Sequence, residues 1–352
     1  MDMDPRLIEY DERFEDYREL GKTVNDLLTS RFKTSGLSPM QVVFRVKTKQ
    51  SIAGKLQRKP EKYPDLLHMT DVLGFRIICY FSDQVDTVAT YLEEMFDIDR
   101  ENSIDKRSAI PATAFGYLSL HYICTLKKDQ GYREDLCEIP FEIQIRSVLQ
   151  HTWAEIEHDL GYKSEFGVPR NIRREFSRVA GLLEVADELF LNIKNDLSVY
   201  KADVREKIAN DCAGDMTLDL ITLSEYIEQS KTMRSLLEEI SSITGAVIND
   251  ADVDPLLPQL AFFGLETLDD LNGFVNEEHK GAMILARDAL EGIELDELTS
   301  TVGFYYLMRS RLTFGDYSEK QIDDFFRIHL KDDKKIRSQT ARILRKREKF
   351  SD

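Results

Sequence analysis

Polar and apolar side chains alternate along Glu142-Ile143-Gln144-Ile145-Arg146. Side chains of a β-strand point in turn to the two faces of its sheet, so this pattern predicts a strand with one apolar and one polar face. Three other segments show related patterns. They are Phe44–Lys47, Phe75–Ile78 and Tyr117–His121. The sequence therefore predicts a sheet that buries one face and presents polar groups on the other.

The polar face of this sheet carries chemically active groups rather than ordinary surface residues. It combines cations, an aromatic ring, an imidazole and a carboxylate. Its members are Arg45, Lys47, Arg76, Tyr117, Ser119, His121, Glu142, Gln144 and Arg146. A charged nucleotide and its metal ion require groups of these kinds. We therefore expect this face to form the floor of an active site.

Composition narrows the class of protein. The chain has 352 residues, 42% hydrophobic and 32% charged, enough to fill one large or two modest domains. Its net charge of −17 argues against a protein that coats nucleic acid through a general basic surface, although a local basic pocket stays compatible with this charge.

No run approaches the roughly 18 apolar residues of a membrane span, and Met1–Arg6 does not resemble a secretory signal. Cysteines without CxxC spacing predict free thiols, so we expect a cytoplasmic protein without a membrane partner.

Changes of pattern divide the chain into four parts. The predicted fold class is α/β of the α+β type, a mixed β-sheet flanked by helices and followed by a mainly α-helical region. The parts are a helical segment at 1–38 with its helix over 5–35, the sheet domain at 39–168, a long helix or helix pair at 169–212, and an acidic helical module with a basic tail at 213–352. Thr267 and Asp270 have the spacing of a capping box ahead of one helix of this module.

A short basic helix follows the first strand. Ser51 is a candidate N-cap for a helix over Ile52–Lys59, and Lys55 and Arg58 share its face because they follow at i+4 and i+7. The free N–H groups of a helix N-terminus, together with these cations and Lys47, would form a cradle for a polyphosphate. An ordinary basic surface helix shows the same pattern, so this segment alone leaves both interpretations open.

Two carboxylates accompany these cations. Asp71 precedes Val72–Arg76 and the very apolar strand Ile77–Phe81, where a capping role is the alternative. Glu142 must project to the polar face, because Ile143 and Ile145 face the core. Two carboxylates plus substrate phosphates suit Mg²⁺, which seldom receives an all-protein cage. The sequence therefore predicts a Mg²⁺ site at Asp71 and Glu142.

Taken together, these blocks resemble a known family. They are Arg45-Val-Lys47, Ser51-Ile-Ala-Gly-Lys55-Leu-Gln-Arg58-Lys59, Asp71-Val-Leu-Gly74-Phe-Arg76-Ile, Gly116-Tyr117-Leu-Ser119-Leu-His121, Glu142-Ile-Gln144-Ile-Arg146 and Trp153-Ala-Glu155-Ile-Glu157-His158. In this order and spacing they resemble the RelA/SpoT alarmone synthetase domain. The resemblance implies a pyrophosphokinase that moves the β,γ-diphosphate of ATP to the 3′-hydroxyl of GDP or GTP, making a (p)ppGpp-type alarmone and AMP.

The resemblance also implies roles for single residues. Asp71 and Glu142 are the implied catalytic pair and Mg²⁺ ligands, with Glu142 as the base for the acceptor hydroxyl. Arg45 and Arg76 would hold the adenine of ATP between their guanidinium planes. The implied contacts with the ATP phosphates are Lys47, Ser51, Lys55 and Arg58. The implied acceptor contacts are Tyr117, whose ring would stack on the base, and Ser119, His121, Gln144 and Arg146.

The acceptor side departs from the family pattern. Members that make guanosine alarmones commonly carry Lys and Asn shortly before the Gly-Tyr pair, whereas this chain reads Pro111-Ala-Thr113-Ala-Phe115 and has Leu118 where Arg or Gln is common. Two alternatives therefore stay open. One is a toxin of the same fold that pyrophosphorylates the 3′ end of tRNA and blocks translation, which the basic tail also favours. The other is an inactive nucleotide-binding regulator, which the complete set of cations and carboxylates disfavours.

The module at 213–352 lies outside the resemblance. Residues 213–320 hold about 21 acidic and about 7 basic side chains, and the final stretch reverses this sign. A solvated helical extension would explain the pattern, but an acidic surface can also compete with a polyanion for a basic cleft. We therefore expect either a structural extension or a control module that meets a regulatory protein or a second copy of the chain.

Overall fold

Two compact units make up the chain in this computed structural model, which describes residues 4–105, 119–161, 169–210 and 212–350. The first unit comprises Met1–Asn195 and the second Asp196–Asp352. The border falls within one continuous helix, Arg170–Ala209, where the sequence allows one helix or two. The finer borders at 38, 168 and 212 remain predictions.

A five-stranded sheet organises the first unit. Its strands are β1 Gln41–Val46, β2 Leu73–Cys79, β3 Phe96–Asp105, β4 Leu120–Leu126 and β5 Phe141–Ser147. They lie in the order β1-β2-β5-β4-β3, with β2 and β5 parallel and the other neighbours antiparallel. The mixed sheet confirms the predicted fold class. The remaining strand, β3, was not predicted, because it is largely exposed and its side chains lack a regular period of two.

Helices surround this sheet. They are α1 Pro5–Ser35, α2 Lys49–Arg58, α3 Asp83–Met95, the short α4 Glu134–Cys137, α5 Val148–Gly161 and the first part of α6 Arg170–Ala209. The apolar stripe of α1 packs on the apolar face of the sheet, where Phe44 and Phe75 belong to the same cluster. Gly21 permits this approach, since a Cβ atom there would lie 2.4 Å from the Phe44 ring. Packing by α1 closes the apolar face and leaves the polar face for a ligand.

The second unit is mainly helical, as predicted. Its helices are α7 Leu220–Gln229, α8 Lys231–Thr244, α9 Leu256–Phe262, α10 Leu268–Leu290, α11 Val302–Phe314, α12 Glu319–Arg327 and α13 Asp333–Lys349. Two short parallel strands that the sequence pattern does not indicate, β6 Val247–Asn249 and β7 Glu297–Thr299, also pair here. Thr267 and Asp270 form the predicted capping box of α10. The basic α13 contacts the acidic part of the unit, because Lys346 and Lys349 both pair with Asp288.

The cysteines are free thiols, buried at Cys79, Cys124 and Cys137 and exposed at Cys212. Within the described ranges, no helix has both the length and the apolar character needed to cross a membrane.

Candidate active site

An open cleft lies on the polar face of the sheet, across β1, β2 and β5. It has a volume of about 300 Å³. Its lining consists of Val43, Phe44, Arg45, Lys47, Asp71, Gly74, Phe75, Arg76, Glu142 and Gln144. Most of the polar members are residues that the sequence assigns to a nucleotide or a metal ion. The structure therefore brings side chains from separate blocks of the sequence into one cavity.

Gly74 forms an open floor between two charged residues. Its partner on β1 is Arg45 and its partner on β5 is Glu142. A Cβ atom at Gly74 would meet no atom within 4 Å, so the space above this position belongs to the cleft. Gly74 is not one of the glycines with a positive φ, so another residue could adopt its backbone conformation. The missing side chain thus leaves room for a ligand between Arg45 and Glu142.

Arg76 and Gln144 occupy the neighbouring row of the sheet. Arg76 lies opposite Gln144 of β5, and Gln144 lies opposite His121 of β4. Arg76 also forms an ion pair with Glu155 of α5, with Nη1 3.0 Å from Oε1. The sequence did not predict this contact, because it depends on how α5 packs against β2 and β5. The pair fixes the direction of the Arg76 guanidinium from outside the sheet.

Asp71 lies between two lysines at the start of β2. Lys47 Nζ is 2.6 Å from Oδ2, and Lys55 Nζ is 2.7 Å from both carboxylate oxygens. The N–H of Lys47 donates to Val72 O at 2.8 Å, which extends the pairing of β1 with β2 and brings Lys47 beside Asp71. Burial alone would raise the pKa of Asp71, but the hydrogen bonds and charges of the lysines outweigh it and lower the pKa. Asp71 is therefore anionic at neutral pH.

Glu142 is oriented by its neighbours on the sheet. His121 Nδ1 lies 2.8 Å from Oε1, and Gln144 Nε2 donates to Oε2 at 3.0 Å. Arg146 donates to Gln144 Oε1 at 2.5 Å and so fixes which way that amide points. Burial alone would raise the pKa of Glu142, but His121 and Gln144 lower it despite the nearby charge of Asp71. Glu142 is therefore an ionised carboxylate with a defined orientation.

The two carboxylates offer oxygen ligands of the type that a divalent metal ion binds. Asp71 and Glu142 line the same cavity, and the charge of one acts on the pKa of the other. Mg²⁺ prefers oxygen ligands and commonly completes its octahedron with water and phosphate oxygens. In the described part of the chain, no cluster of three or more His, Cys, Asp or Glu residues could hold a metal. A Mg²⁺ ion here would need oxygens from the phosphates of a substrate.

The N-terminus of α2 differs from the prediction. Its N-cap is Thr48, whose side chain accepts a hydrogen bond from the N–H of Ser51 at 3.3 Å. The prediction of Ser51 as the N-cap is wrong, since Ser51 lies in the first turn of the helix. Thr and Ser both cap helices well, so their spacing does not tell which of them begins the helix.

The residues of α2 that are predicted to contact the ATP phosphates do not all face the cleft. Lys55 turns to the cleft and holds Asp71. Ser51 and Arg58 are exposed and do not line the cleft, and Arg58 Nε donates to Gly54 O at 3.1 Å. Their roles as phosphate contacts remain predictions.

The residues predicted to contact the acceptor also lie in different environments. Tyr117 lies outside the described residues. His121 and Arg146 belong to the hydrogen-bonded group around Gln144. Ser119 is fully buried and precedes β4, so it does not line the open cleft and the strand expected over 117–121 begins later.

Comparison with known proteins adds to this geometry. The sequence model described as "Region found in RelA / SpoT proteins" matches residues 44–166. GTP pyrophosphokinase YwaC of Bacillus subtilis (strain 168) is 31% identical over 156 residues, which cover 44% of this chain and 72% of that protein. GTP pyrophosphokinase YjbM of the same organism is 30% identical over 174 residues, covering 48% and 79%. The crystal structure of small alarmone synthetase 1 from Bacillus subtilis is 24% identical with a TM-score of 0.46, covering 54% of this chain and 98% of that one.

Proposed function

The chain belongs to the RelA/SpoT family, and we propose that its cleft transfers the β,γ-diphosphate of ATP to the 3′-hydroxyl of a guanine nucleotide. The products are AMP and a (p)ppGpp-type alarmone. One observation carries the proposal: two ionised carboxylates, Asp71 and Glu142, share a single open cleft with Arg45, Lys47 and Arg76. Transfer between phosphates needs this combination, because catalysis rests on positioning the phosphates and neutralising their charge.

The two arginines suit the adenine of ATP. Arg45 pairs with Gly74, two residues from Arg76 on β2, so Arg45 and Arg76 are diagonal neighbours on one face of the sheet. Diagonal neighbours lie about 7–8 Å apart. A flat ring between two planar groups needs about 7 Å, since each contact takes about 3.5 Å. The ion pair with Glu155 helps to keep the Arg76 guanidinium in place.

The two lysines suit the phosphates of ATP. Lys47 and Lys55 both contact Asp71, so their two positive charges face one carboxylate. A polyphosphate carries more negative charge and more acceptor oxygens than one carboxylate, so both ammonium groups can turn to it. When they turn to the phosphates, the oxygens of Asp71 become available to the metal ion. Asp71 thus keeps the lysines placed at the cleft before ATP binds.

Glu142 is the proton acceptor in this proposal. Asp71 and Glu142 would hold the Mg²⁺ ion, which when bound neutralises phosphate charge. The acceptor 3′-oxygen forms a bond to the β-phosphorus, the bond from that phosphorus to the oxygen of AMP breaks, and the hydroxyl proton passes to Glu142. The lowered pKa makes Glu142 a weak base. A weak base suffices, because phosphoryl transfer passes through a loose transition state in which the hydroxyl loses its proton late.

The acceptor is proposed from the names of the relatives, since YwaC and YjbM are GTP pyrophosphokinases. This supports GDP or GTP, with Tyr117, Gln144 and Arg146 as predicted contacts. The sequence at Pro111–Phe115 lacks the usual Lys and Asn, which favours the 3′ end of tRNA as a second candidate acceptor.

Product analysis separates these acceptors. Purified full-length protein would receive γ-labelled ATP with GDP, GTP or bulk tRNA, and Glu142→Gln would serve as the control. We expect label on GDP or GTP and none with the control. Label on tRNA alone would establish the second candidate. Absence of transfer to every acceptor would reject both and leave a nucleotide-binding regulator.

A further inference from the structure

A cluster of cationic and aromatic side chains lies in the second unit, where α11, α12 and α13 meet. The guanidinium carbon of the half-buried Arg309 lies 3.5 Å from the ring centre of Tyr305 and 5.6 Å from that of Phe326. Its Nη2 donates to Gln339 Oε1 of α13 at 3.2 Å. His329, just after α12, packs against Phe326 with ring centres 6.0 Å apart. Arg309 is therefore fixed in direction by three neighbours.

Arg342 adds a second guanidinium to this cluster. It follows Gln339 by three residues on α13, so the two side chains are neighbours on the helix surface. Burial and the positive charge of Arg342 lower the pKa of Arg309. Burial and the charge of Arg309 likewise lower the pKa of His329. The geometry agrees, because Arg309 and His329 both lie against the ring of Phe326, and Arg342 is the helix neighbour of Gln339, which Arg309 contacts.

Among the residues that the structure describes, no carboxylate pairs with either of the two arginines. Neither Arg309 nor Arg342 forms an ion pair within the described part of the chain. In contrast, Arg311, two residues after Arg309, lies 2.6 Å from both Glu277 and Glu278. Carboxylates are abundant in this unit, so their absence here is selective. A partly buried cation without a counter-ion lowers stability, unless a ligand supplies the opposite charge.

We propose that Arg309, Arg342 and His329 bind the phosphate group of a small phosphorylated molecule. A phosphate monoester carries a charge of about −1.5 to −2 at neutral pH. Two guanidinium groups match this charge, whereas a carboxylate would leave one of them unbalanced. Guanidinium binds phosphate through two parallel hydrogen bonds, and the imidazole of His329 adds a further N–H donor. Tyr305 and Gln339 hold Arg309 in place, so little side-chain order is lost on binding.

The histidine ring offers a local readout. In histidine-labelled full-length protein, the His329 signal is identified by its loss in His329→Gln, and inorganic phosphate is then titrated while the ring is followed by NMR. We expect a saturable shift. Arg342→Gln should weaken binding by about tenfold or more, because one charge-assisted contact is lost. Arg337→Gln removes the same charge from an exposed position of the same helix and should leave the curve unchanged.

Three results would overturn the proposal. The first is the absence of a saturable His329 shift in the wild-type protein. The second is equal weakening in Arg337→Gln and Arg342→Gln, which would indicate general ionic attraction. The third is a shift with a short single-stranded RNA but none with phosphate, which would indicate an RNA surface. Arg342 is exposed, so its replacement leaves the core intact. His121 reports the catalytic cleft in the same spectra, which keeps this test separate from the transfer reaction.

Discussion

Asp71 in the first unit and Glu225 in the second are carboxylates with similar neighbours, since each forms ion pairs with two cationic side chains. Arg205 and Lys201 lie 2.8 and 3.2 Å from the oxygens of Glu225, much as two lysines approach Asp71. The side chain of Asp71 keeps 24% of its surface exposed in an open cleft, whereas that of Glu225 is fully buried. Pairing with cations alone therefore does not identify a catalytic carboxylate. The two residues differ in their access to an open cleft.

Local structure explains why one site is open and the other closed. Asp71 stands at the start of β2, and Gly74 on the same strand contributes no side chain to the space nearby. Glu225 lies within α7 and faces the end of α6, where Arg205 and Lys201 pair with it and its side chain is fully buried. The same chemical pairing is thus enclosed by helices in one unit and borders an open cleft in the other.

The largest effect should come from the open carboxylates. Asp71→Asn and Glu142→Gln should each lower the rate of diphosphate transfer by at least about 10²- to 10³-fold, because a contact that stabilises the transition state is lost. Both side chains face the cleft, so the thermal unfolding midpoint should change little. Steady-state formation of AMP measures the rate. Retained transfer in Glu142→Gln would remove this residue as base and metal ligand.

The open floor can be tested at Gly74. Gly74→Leu places a side chain in the cleft and should weaken ATP binding by about tenfold or more, from a steric cost of roughly 1–3 kcal/mol. Gly74→Ala is the matched control. It should bind ATP nearly as well and raise stability by about 0.5–1 kcal/mol, because alanine loses less backbone entropy on folding than glycine. Equal ATP affinity in the leucine variant would show that the nucleotide does not pass over this position.

The substitution Glu225→Gln tests the role of the buried carboxylate of the second unit. Loss of the buried ion pairs should reduce the hydrogen-exchange protection of α7 amides by about tenfold. Fluorescence of Trp153, the one tryptophan of the chain, reports the first unit and should keep its unfolding transition. A large loss of transfer in this variant, with α7 protection unchanged, would contradict a purely structural role.

The same variant has a defined pH dependence. Burial alone would raise the pKa of Glu225, but Arg205 and Lys201 outweigh it and lower the pKa below its ordinary value of 4.5. A lowered pKa means that the stabilisation is complete above pH 4.5 and is lost as the pH falls through the lower value. The difference in α7 protection between wild type and Glu225→Gln should therefore hold at neutral pH and shrink in acid.

The smallest effect should come from Glu155, which touches the cleft only through Arg76. Its side chain is half exposed, so the ion pair contributes about 0.5–1 kcal/mol. Glu155→Gln should therefore raise the KM for ATP about two- to fivefold and leave kcat unchanged. Glu157→Gln, an exposed change on the same helix, is the control. A fall in kcat with constant KM would contradict a positioning role.

The sheet could be predicted from the sequence because the alternation of polar and apolar residues is a local pattern. Alternation at Glu142–Arg146 and around Phe75 depends only on neighbouring residues, and the structure confirms strands at both places. The helix predicted over 5–35 forms over Pro5–Ser35 for the same reason, since an apolar stripe repeats along it. Patterns of this kind predict which face of an element is buried.

The contacts of the cleft could not be predicted in the same way. Lys47 and Lys55 are separated from Asp71 by 24 and 16 residues. Lys47 meets it through the pairing of β1 with β2, and Lys55 through the placement of α2. The choice of Thr48 over Ser51 as N-cap and the pairing of Glu155 with Arg76 likewise depend on packing. Sequence therefore predicts which residue types meet in the cleft, whereas the structure determines which atoms are paired.

The position of bond cleavage in ATP distinguishes diphosphate transfer from transfer of the γ-phosphate alone. ATP labelled at the β-phosphorus would be incubated with the full-length protein, Mg²⁺ and GTP, and the labelled products separated. We predict that the β-label is transferred to the acceptor product and that unlabelled AMP forms in an equal amount. Label that stays in ADP would contradict diphosphate transfer, because the bond between the β- and γ-phosphorus would then be the one that breaks.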